Sequence, residues 1–235
     1  MLISLFESGF SGQVFMQIIY FIIIWCITLT IHECAHGYVA YRMGDPTAGN
    51  MGRLTLNPVK HIDPIGLLMI LIIGFGWAKP VPVNPRYFRN PQKGMAISAA
   101  AGPVSNLLMA ILGVIIYRII IVVIIKGGLF DSSFAYNAYN FFGLFAMLNV
   151  WFAVFNLIPV PPLDGSRIVT YFLPPKLGYY YNYVERYGFL ILIILLNLGR
   201  INRNLNFIWI LEVIAGWILS GINFVFNPIF ALFGG

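Results

Sequence analysis

Long apolar runs separated by short polar linkers dominate the chain. A helix needs roughly 20 apolar residues to cross a bilayer, and several runs approach or exceed that length. The pattern therefore predicts an all-α polytopic membrane protein with about five to six transmembrane helices. The predicted helices cover about 13–41, 94–125, 137–158, 187–200 and 206–231.

The segment between the first two long helices, residues 45–93, is polar and rich in glycine and proline. Within it, the alternating stretch "GRLTLN" at 52–57 favours a strand or hairpin over a helix. The apolar run "GLLMILIIGFGW" at 66–77 has only twelve residues. That is too short to span a bilayer, and a re-entrant or broken segment fits it better. We therefore expect a short re-entrant or β-hairpin segment near residues 45–93.

The sequence shows no internal repeat and no low-complexity tract. We expect residues 1–235 to form a single membrane-embedded domain. Its candidate functional motifs lie within about 15–170, and the C-terminal helices at about 187–231 carry none.

Composition excludes a soluble protein. Hydrophobic residues make up 60% of the chain and charged residues only 9%, whereas soluble domains carry about 25% charged residues. The formal charge of +6 comes from Lys and Arg that are spread through short loops and form no patch. We therefore expect a lipid bilayer as a partner and no nucleic acid.

The basic residues predict the topology. Those between the first helix and the 94–125 helix place this segment on the cytoplasmic side, and others place the loop after residue 164 on the same side. The 13–41 and 137–158 helices then both end on the cytoplasmic side, so the chain must cross the bilayer an odd number of times between them. The 94–125 helix supplies one crossing, which favours a 66–77 segment that enters the bilayer and returns to the same side. We expect a multi-pass protein of the cell membrane. The basic residues used are Arg42, Arg53, Lys60, Lys79, Arg86, Arg89 and Lys93, then Arg167, Lys176 and Arg186.

The stretch "HECAH" at 32–36 ends the first predicted helix with the pattern H-E-x-x-H. His32 and His36 share one helix face, so both imidazoles can hold one Zn²⁺, while Glu33 can act as the base that takes a proton from water. The chain has only three histidines, and two are in this motif. Ionisable residues at membrane depth cost about 2.5–3.5 kcal/mol or more, which argues against a chance match.

A catalytic zinc takes three protein ligands and leaves one position open. Asp164 is the favoured third ligand because it follows an apolar helix that three prolines within 159–162 must interrupt. Irregular backbone at that depth suits a wet cavity, and the topology puts Asp164 on the same side as the histidines. His61 and Glu185 remain the reserve ligands.

"HECAH" together with "NLIPVPPLDG" at 156–165 resembles the site-2 protease family of intramembrane zinc metalloproteases. The resemblance implies zinc bound by His32, His36 and Asp164, water activated by Glu33, and substrate or tetrahedral-intermediate contact by Asn156.

Two further stretches extend the resemblance. "AGPVSN" at 101–106 is similar to a Gly-Pro-x-x-Asn stretch of the family, which makes Asn106 a second substrate-binding candidate. "GFGWAKPVPVNP" resembles the compact members, and the sequence shows neither the PDZ nor the CBS domain of the larger ones.

The family resemblance implies an intramembrane metalloprotease with one zinc per chain. It would cleave a membrane-protein substrate in or near its transmembrane helix, and the basic residues predict that the active site lies toward the cytoplasmic leaflet. The alternatives are a zinc transporter, which should show ligands on both halves of a path, and a catalytically silent membrane scaffold. No motif specifies an oligomeric state.

Overall fold

The structure, a computed structural model, describes residues 12–73, 76–202 and 206–231. Within these ranges the chain is helical, with connecting loops and two short 3-10 turns. The α-helices are α1 (Gly12–Arg42), α2 (Thr47–Asn50), α3 (Pro64–Ile73), α4 (Pro91–Gly127), α5 (Ser133–Asn156), α6 (Asp164–Phe172), α7 (Pro175–Glu185), α8 (Gly188–Ile201) and α9 (Phe207–Ala231).

Four of the described helices, α1, α4, α5 and α9, are long and apolar enough to cross a bilayer. The chain is therefore an integral membrane protein. Five to six spans were expected, and the difference lies partly in α8. Its 14 residues rise about 21 Å, short of the roughly 30 Å hydrocarbon core.

The chain divides into two compact units, the first ending at Gly102 and the second beginning at Pro103. The boundary falls inside α4. The expectation of a single domain stays a prediction.

The first unit begins with α1, whose end is fixed by a glycine. Gly44 has a φ of +104°, a backbone conformation that glycine adopts without strain. Its N–H donates to Tyr41 O, and the N–H of Asp45 donates to Ala40 O. This pair of bonds is the Schellman arrangement that terminates helices. It places Asp45 at a defined position just after α1.

The prediction of a strand at 52–57 was wrong, because the described part of this stretch is turn and loop. A strand needs backbone partners along a ladder. Here side chains take that place: Arg53 Nη2 donates to Lys79 O at 2.7 Å, and His61 Nε2 donates to Thr55 O at 2.8 Å.

The two ends of the 66–77 region meet. Ile62 and Ala78 form an isolated antiparallel bridge, and Lys79 N donates to His61 O at 2.8 Å. A Cβ on Gly66 in α3 would lie 2.0 Å from Trp77 O. The two ends of this region therefore lie close together, and the re-entrant segment stays a prediction.

The second unit contains the turn between α5 and α6. Helix α5 ends at Asn156, two residues earlier than predicted, and the proline-rich stretch follows. A Cβ on Gly165 would lie 2.2 Å from Leu157 O, so only glycine lets the first turn of α6 pack against the end of α5. The sequence analysis did not predict α6 or α7.

The last helix packs against its neighbours in the second unit. Helix α9 contacts α5 and α8. It also accepts hydrogen bonds from a cation in α4, because Arg118 Nη2 donates to Asn223 Oδ1 at 2.9 Å and to Asn227 Oδ1. These amide oxygens satisfy part of a charge that lipid would leave unsolvated.

We predict that Gly66→Ala destabilises the first unit, because the added methyl overlaps the Trp77 carbonyl. Overpacking of this kind costs about 1–3 kcal/mol. Gly216→Ala in α9 is the control, since nothing lies within 4 Å of its Cβ position. Thermal unfolding in detergent should show a lower midpoint for Gly66→Ala only. Equal midpoints for both variants would contradict the described close approach.

Candidate metal centre

The two motif histidines converge near the end of α1. Their Nε2 atoms lie 3.0 Å apart, and the rings are nearly perpendicular, with centroids 4.6 Å apart. Both residues are buried. Spacing at i and i+4 on a helix produces this arrangement, so the structure brings together the pair that the sequence predicted.

Ser98, in α4, contacts the Nδ1 side of the His36 ring, opposite Nε2. His36 Nδ1 lies 2.8 Å from Ser98 O, and Ser98 Oγ donates to His36 O at 3.1 Å. A carbonyl is an acceptor only, so Nδ1 carries the proton and Nε2 presents its lone pair. Such a bond on the far nitrogen is the usual support for a metal-ligating histidine.

Gly102 gives the imidazoles their space. A Cβ built there would lie 2.5 Å from His36 Nε2 and 2.5 Å from His32 Cε1. Any larger residue at this position would displace the rings. Glycine at 102 therefore keeps the region around the two Nε2 atoms open.

The imidazole pair fits a zinc ion. Two nitrogens bound at about 2.0–2.1 Å to one tetrahedral zinc lie roughly 3.3 Å apart, close to the 3.0 Å found between the Nε2 atoms. Neutral imidazole is also among the ligands that zinc prefers. The geometry and the chemistry of these donors agree.

The carboxylate of Glu33 is held by backbone. Its Oε2 accepts a hydrogen bond from Val81 N at 2.7 Å. Val81 is buried and packs over α1, where a Cβ on Gly37 would lie 2.9 Å from Val81 Cγ1. The bond fixes one oxygen of Glu33 and leaves the other to accept a proton or another donor.

Asp164 begins helix α6, with Leu163 as the N-cap residue. Two contacts brace the loop that precedes it. Tyr181 in α7 donates its hydroxyl to Pro159 O at 2.8 Å, and a Cβ on Gly188 would lie 2.2 Å from Pro161 O. Burial, followed by the nearby Glu185 carboxylate, raises the pKa of Tyr181, which keeps this hydroxyl protonated as a donor.

The two candidate asparagines lie on α5 and α4. Asn156 is the last residue of α5, and its Nδ2 donates to Phe152 O at 3.0 Å. A second N–H on the same nitrogen is left for a further acceptor. Asn106 is fully buried, and neither of its amide atoms has a hydrogen-bond partner among the described residues.

The reserve ligands have other roles. His61 Nε2 donates to Thr55 O, which ties this histidine to a loop through one of its two ring nitrogens. Glu185 forms a 2.8 Å ion pair with Arg167, with both side chains exposed to solvent. The assignment of the third ligand to Asp164 stays a prediction.

Ser98 and Val81 belong to the site, and the sequence analysis did not find either. Their contacts with the two functional side chains are made by backbone atoms, the Ser98 carbonyl with His36 and the Val81 N–H with Glu33. Backbone groups carry no residue-type signal. Gly102 did have one, since it stands in the "AGPVSN" stretch.

Comparison with known proteins identifies relatives along most of the chain. The profile of peptidase family M50 matches residues 119–195, which include Asn156 and Asp164. The chain is 42% identical over 176 residues to "Putative zinc metalloprotease YwhC" of Bacillus subtilis, covering 75% of this chain and 79% of that protein.

More distant relatives carry similar names. The chain is 30% identical over 198 residues to "Putative zinc metalloprotease Rip2" of Mycolicibacterium smegmatis, covering 81% of this chain and 69% of that protein. It is 23% identical over 172 residues to "Zinc metalloprotease MJ0392" of Methanocaldococcus jannaschii, covering 39% of that protein. No solved structure matches the chain significantly.

We predict that Gly102→Ala weakens zinc binding, because the methyl would overlap His36 Nε2. The expected loss of affinity is about 10–100-fold, as for other changes that misorient a ligand. Competition with a zinc-binding dye on the purified protein measures it, with Gly216→Ala as the control. Unchanged affinity in Gly102→Ala would show that the imidazoles do not need this space.

Proposed function

Because the chain belongs to peptidase family M50, the site-2 protease family of zinc metalloproteases, we propose that it is an intramembrane protease. It hydrolyses a peptide bond in or near the transmembrane helix of a membrane-protein substrate. The observation that carries the proposal is the convergence of the two buried Nε2 atoms at 3.0 Å on a membrane-spanning helix, with the Glu33 carboxylate held by Val81 N.

One zinc per chain would be held by His32, His36 and Asp164. The paired imidazoles of α1 support the first two ligands. The third rests on the "NLIPVPPLDG" stretch and on the braced loop that ends at Asp164. When bound, zinc supplies Lewis acidity, which makes water a nucleophile at neutral pH and polarises a peptide carbonyl.

Glu33 is the general base. One of its oxygens is fixed by Val81 N at 2.7 Å, so the carboxylate has a defined orientation. The other oxygen takes the proton of the attacking water and returns it to the leaving amine. Because Glu33 follows His32 directly on α1, it stands beside the ligand pair without being one of the ligands.

The asparagines bind the substrate. The spare N–H of Asn156 suits the developing oxyanion or the substrate backbone. Asn106 offers a buried amide without a partner among the described residues, and a buried polar group of this kind calls for a ligand or an ordered water. We assign it to substrate binding.

The depth of the motif fits a membrane substrate. His32 lies 20 residues after the start of α1, or about 30 Å along the axis, which is the thickness of a hydrocarbon core. The basic residues of 42–93 support an orientation with this end toward the cytoplasmic leaflet of the cell membrane. A substrate helix must unwind there to expose its carbonyl groups.

The alternatives predict other behaviour. A zinc transporter uses its carboxylates and imidazoles along a path, whereas Glu33 is bound to a backbone N–H beside the histidine pair. A silent scaffold has no need for a base beside its ligands. Zinc content and cleavage, measured on the same variants, separate the three functions.

We predict that His32→Ala, His36→Ala and Asp164→Ala each lose zinc, because a site reduced from three ligands to two binds far more weakly. Metal analysis of the purified proteins is the measurement, with Asp63→Ala as the control. The Asp63 carboxylate accepts a hydrogen bond from Ile65 N at the start of α3 and is not a proposed ligand. Full zinc content in Asp164→Ala would move the third-ligand role to His61 or Glu185.

We predict that Glu33→Gln keeps zinc and loses proteolysis, because the amide has the size of the carboxylate but cannot take a proton. General acid–base catalysis contributes about 10²–10⁴-fold. The assay uses detergent-solubilised protein and a membrane-helix substrate, beside zinc content. Glu212→Gln in the exposed part of α9 is the matched control. Parental cleavage by zinc-loaded Glu33→Gln would refute the protease mechanism.

A further inference from the structure

The residue that sets the position of Glu33 lies outside the H-E-x-x-H motif. We propose that Asp45 is a positioning residue for the base: its buried carboxylate fixes the loop segment 79–84, named the strap, and the strap holds Glu33 through Val81 N. The inference rests on the proposed protease function.

Hydrogen bonds fix the strap at both ends and in its middle. At its beginning, Lys79 N donates to His61 O at 2.8 Å and Lys79 O accepts from Arg53 Nη2 at 2.7 Å. At its end, Asn84 N donates to Asp45 Oδ2 at 2.7 Å. Between these points, Val81 N donates to Glu33 Oε2 at 2.7 Å.

The sequence of the strap makes Val81 the donor for Glu33. Pro80 and Pro82 flank it and have no N–H to offer. Proline also restricts φ, so the strap is stiffer than an ordinary loop. In a stiff segment fixed at both ends, the positions of the ends determine where the middle donor lies.

Asp45 is built for this contact. Its side chain is fully buried, and the Schellman end of α1 sets its backbone position. Oδ1 accepts from the N–H of Thr47 at 3.0 Å and from the Thr47 hydroxyl, which leaves Oδ2 for Asn84 N. Hydrogen bonds to a carboxylate are roughly twice as strong as neutral ones.

The position of Glu33 matters for chemistry more than for binding. Misplacement of a catalytic group by about 1 Å can lower a rate about 10²-fold, whereas zinc is held by other residues. Loss of the strap contact should therefore lower kcat, with KM and zinc content unchanged. A merely structural role for Asp45 would lower all of these together with stability.

The first arm of the test removes the strap donor. Val81→Pro deletes the N–H that binds Glu33, and Val83→Pro is the matched control, because it is also a valine that follows a proline in the strap. We expect kcat to fall about 10–100-fold in Val81→Pro and to stay within about twofold of the parent in Val83→Pro, by analogy with losses of orienting contacts. Equal kcat values in the two variants would overturn the proposal.

The second arm removes the Asp45 charge. Asp45→Asn should lower kcat about 10-fold at parental zinc content, whereas Asp63→Asn, which changes a carboxylate that accepts Ile65 N, should not. The double variant Asp45→Asn/Val81→Pro should be no slower than Val81→Pro alone, because both changes break one chain of contacts. Multiplying effects, parental kcat, or joint loss of zinc and kcat in Asp45→Asn would each overturn the proposal.

Cleavage by the parent and its loss in Glu33→Gln are established first. Failure of the protease function then shows in the parent itself, whereas failure of the strap inference shows only in variants of an active parent.

Discussion

The close approach of the α4 backbone to the motif histidines is the constraint on which the site depends. Gly102 leaves no room for a Cβ beside the two rings, and Ser98 O fixes the tautomer of His36. Two imidazoles on adjacent turns share a face in any helix, but they become a metal site only when the far nitrogens are bound and the near ones face open space. One turn of α4 provides the bond to His36 Nδ1 through Ser98 O and, through Gly102, the space beside both rings.

In the apolar helices, asparagine side chains form hydrogen bonds within their own helix, because lipid offers them no partner. Several asparagines donate Nδ2 to the carbonyl four residues earlier, namely Asn140, Asn149, Asn156, Asn197 and Asn223. Asn106 departs from this pattern, being fully buried with no partner among the described residues. This contrast supports substrate binding by Asn106 over a role in helix packing.

The sequence predicted the features that depend on one local pattern. Long apolar runs gave α1, α4, α5 and α9, and the spacing of His32 and His36 gave the imidazole pair. It failed where side chains and distant backbone compete with local preference. Alternation at 52–57 predicted a strand. Instead, the stretch is held by side-chain hydrogen bonds, from Arg53 to Lys79 O and from His61 to Thr55 O. The strap was missed because its contacts are backbone donors, 39 and 48 residues away from their carboxylates.

Zinc-edge X-ray absorption on the purified protein tests whether one zinc is held by His32, His36 and Asp164. We expect two imidazole nitrogens at about 2.0–2.1 Å with the remaining scatterers oxygen, and loss of a carboxylate oxygen in whatever zinc Asp164→Asn retains. A sulfur scatterer at about 2.3 Å, which would bring in Cys26 or Cys34, or a single imidazole, would contradict it.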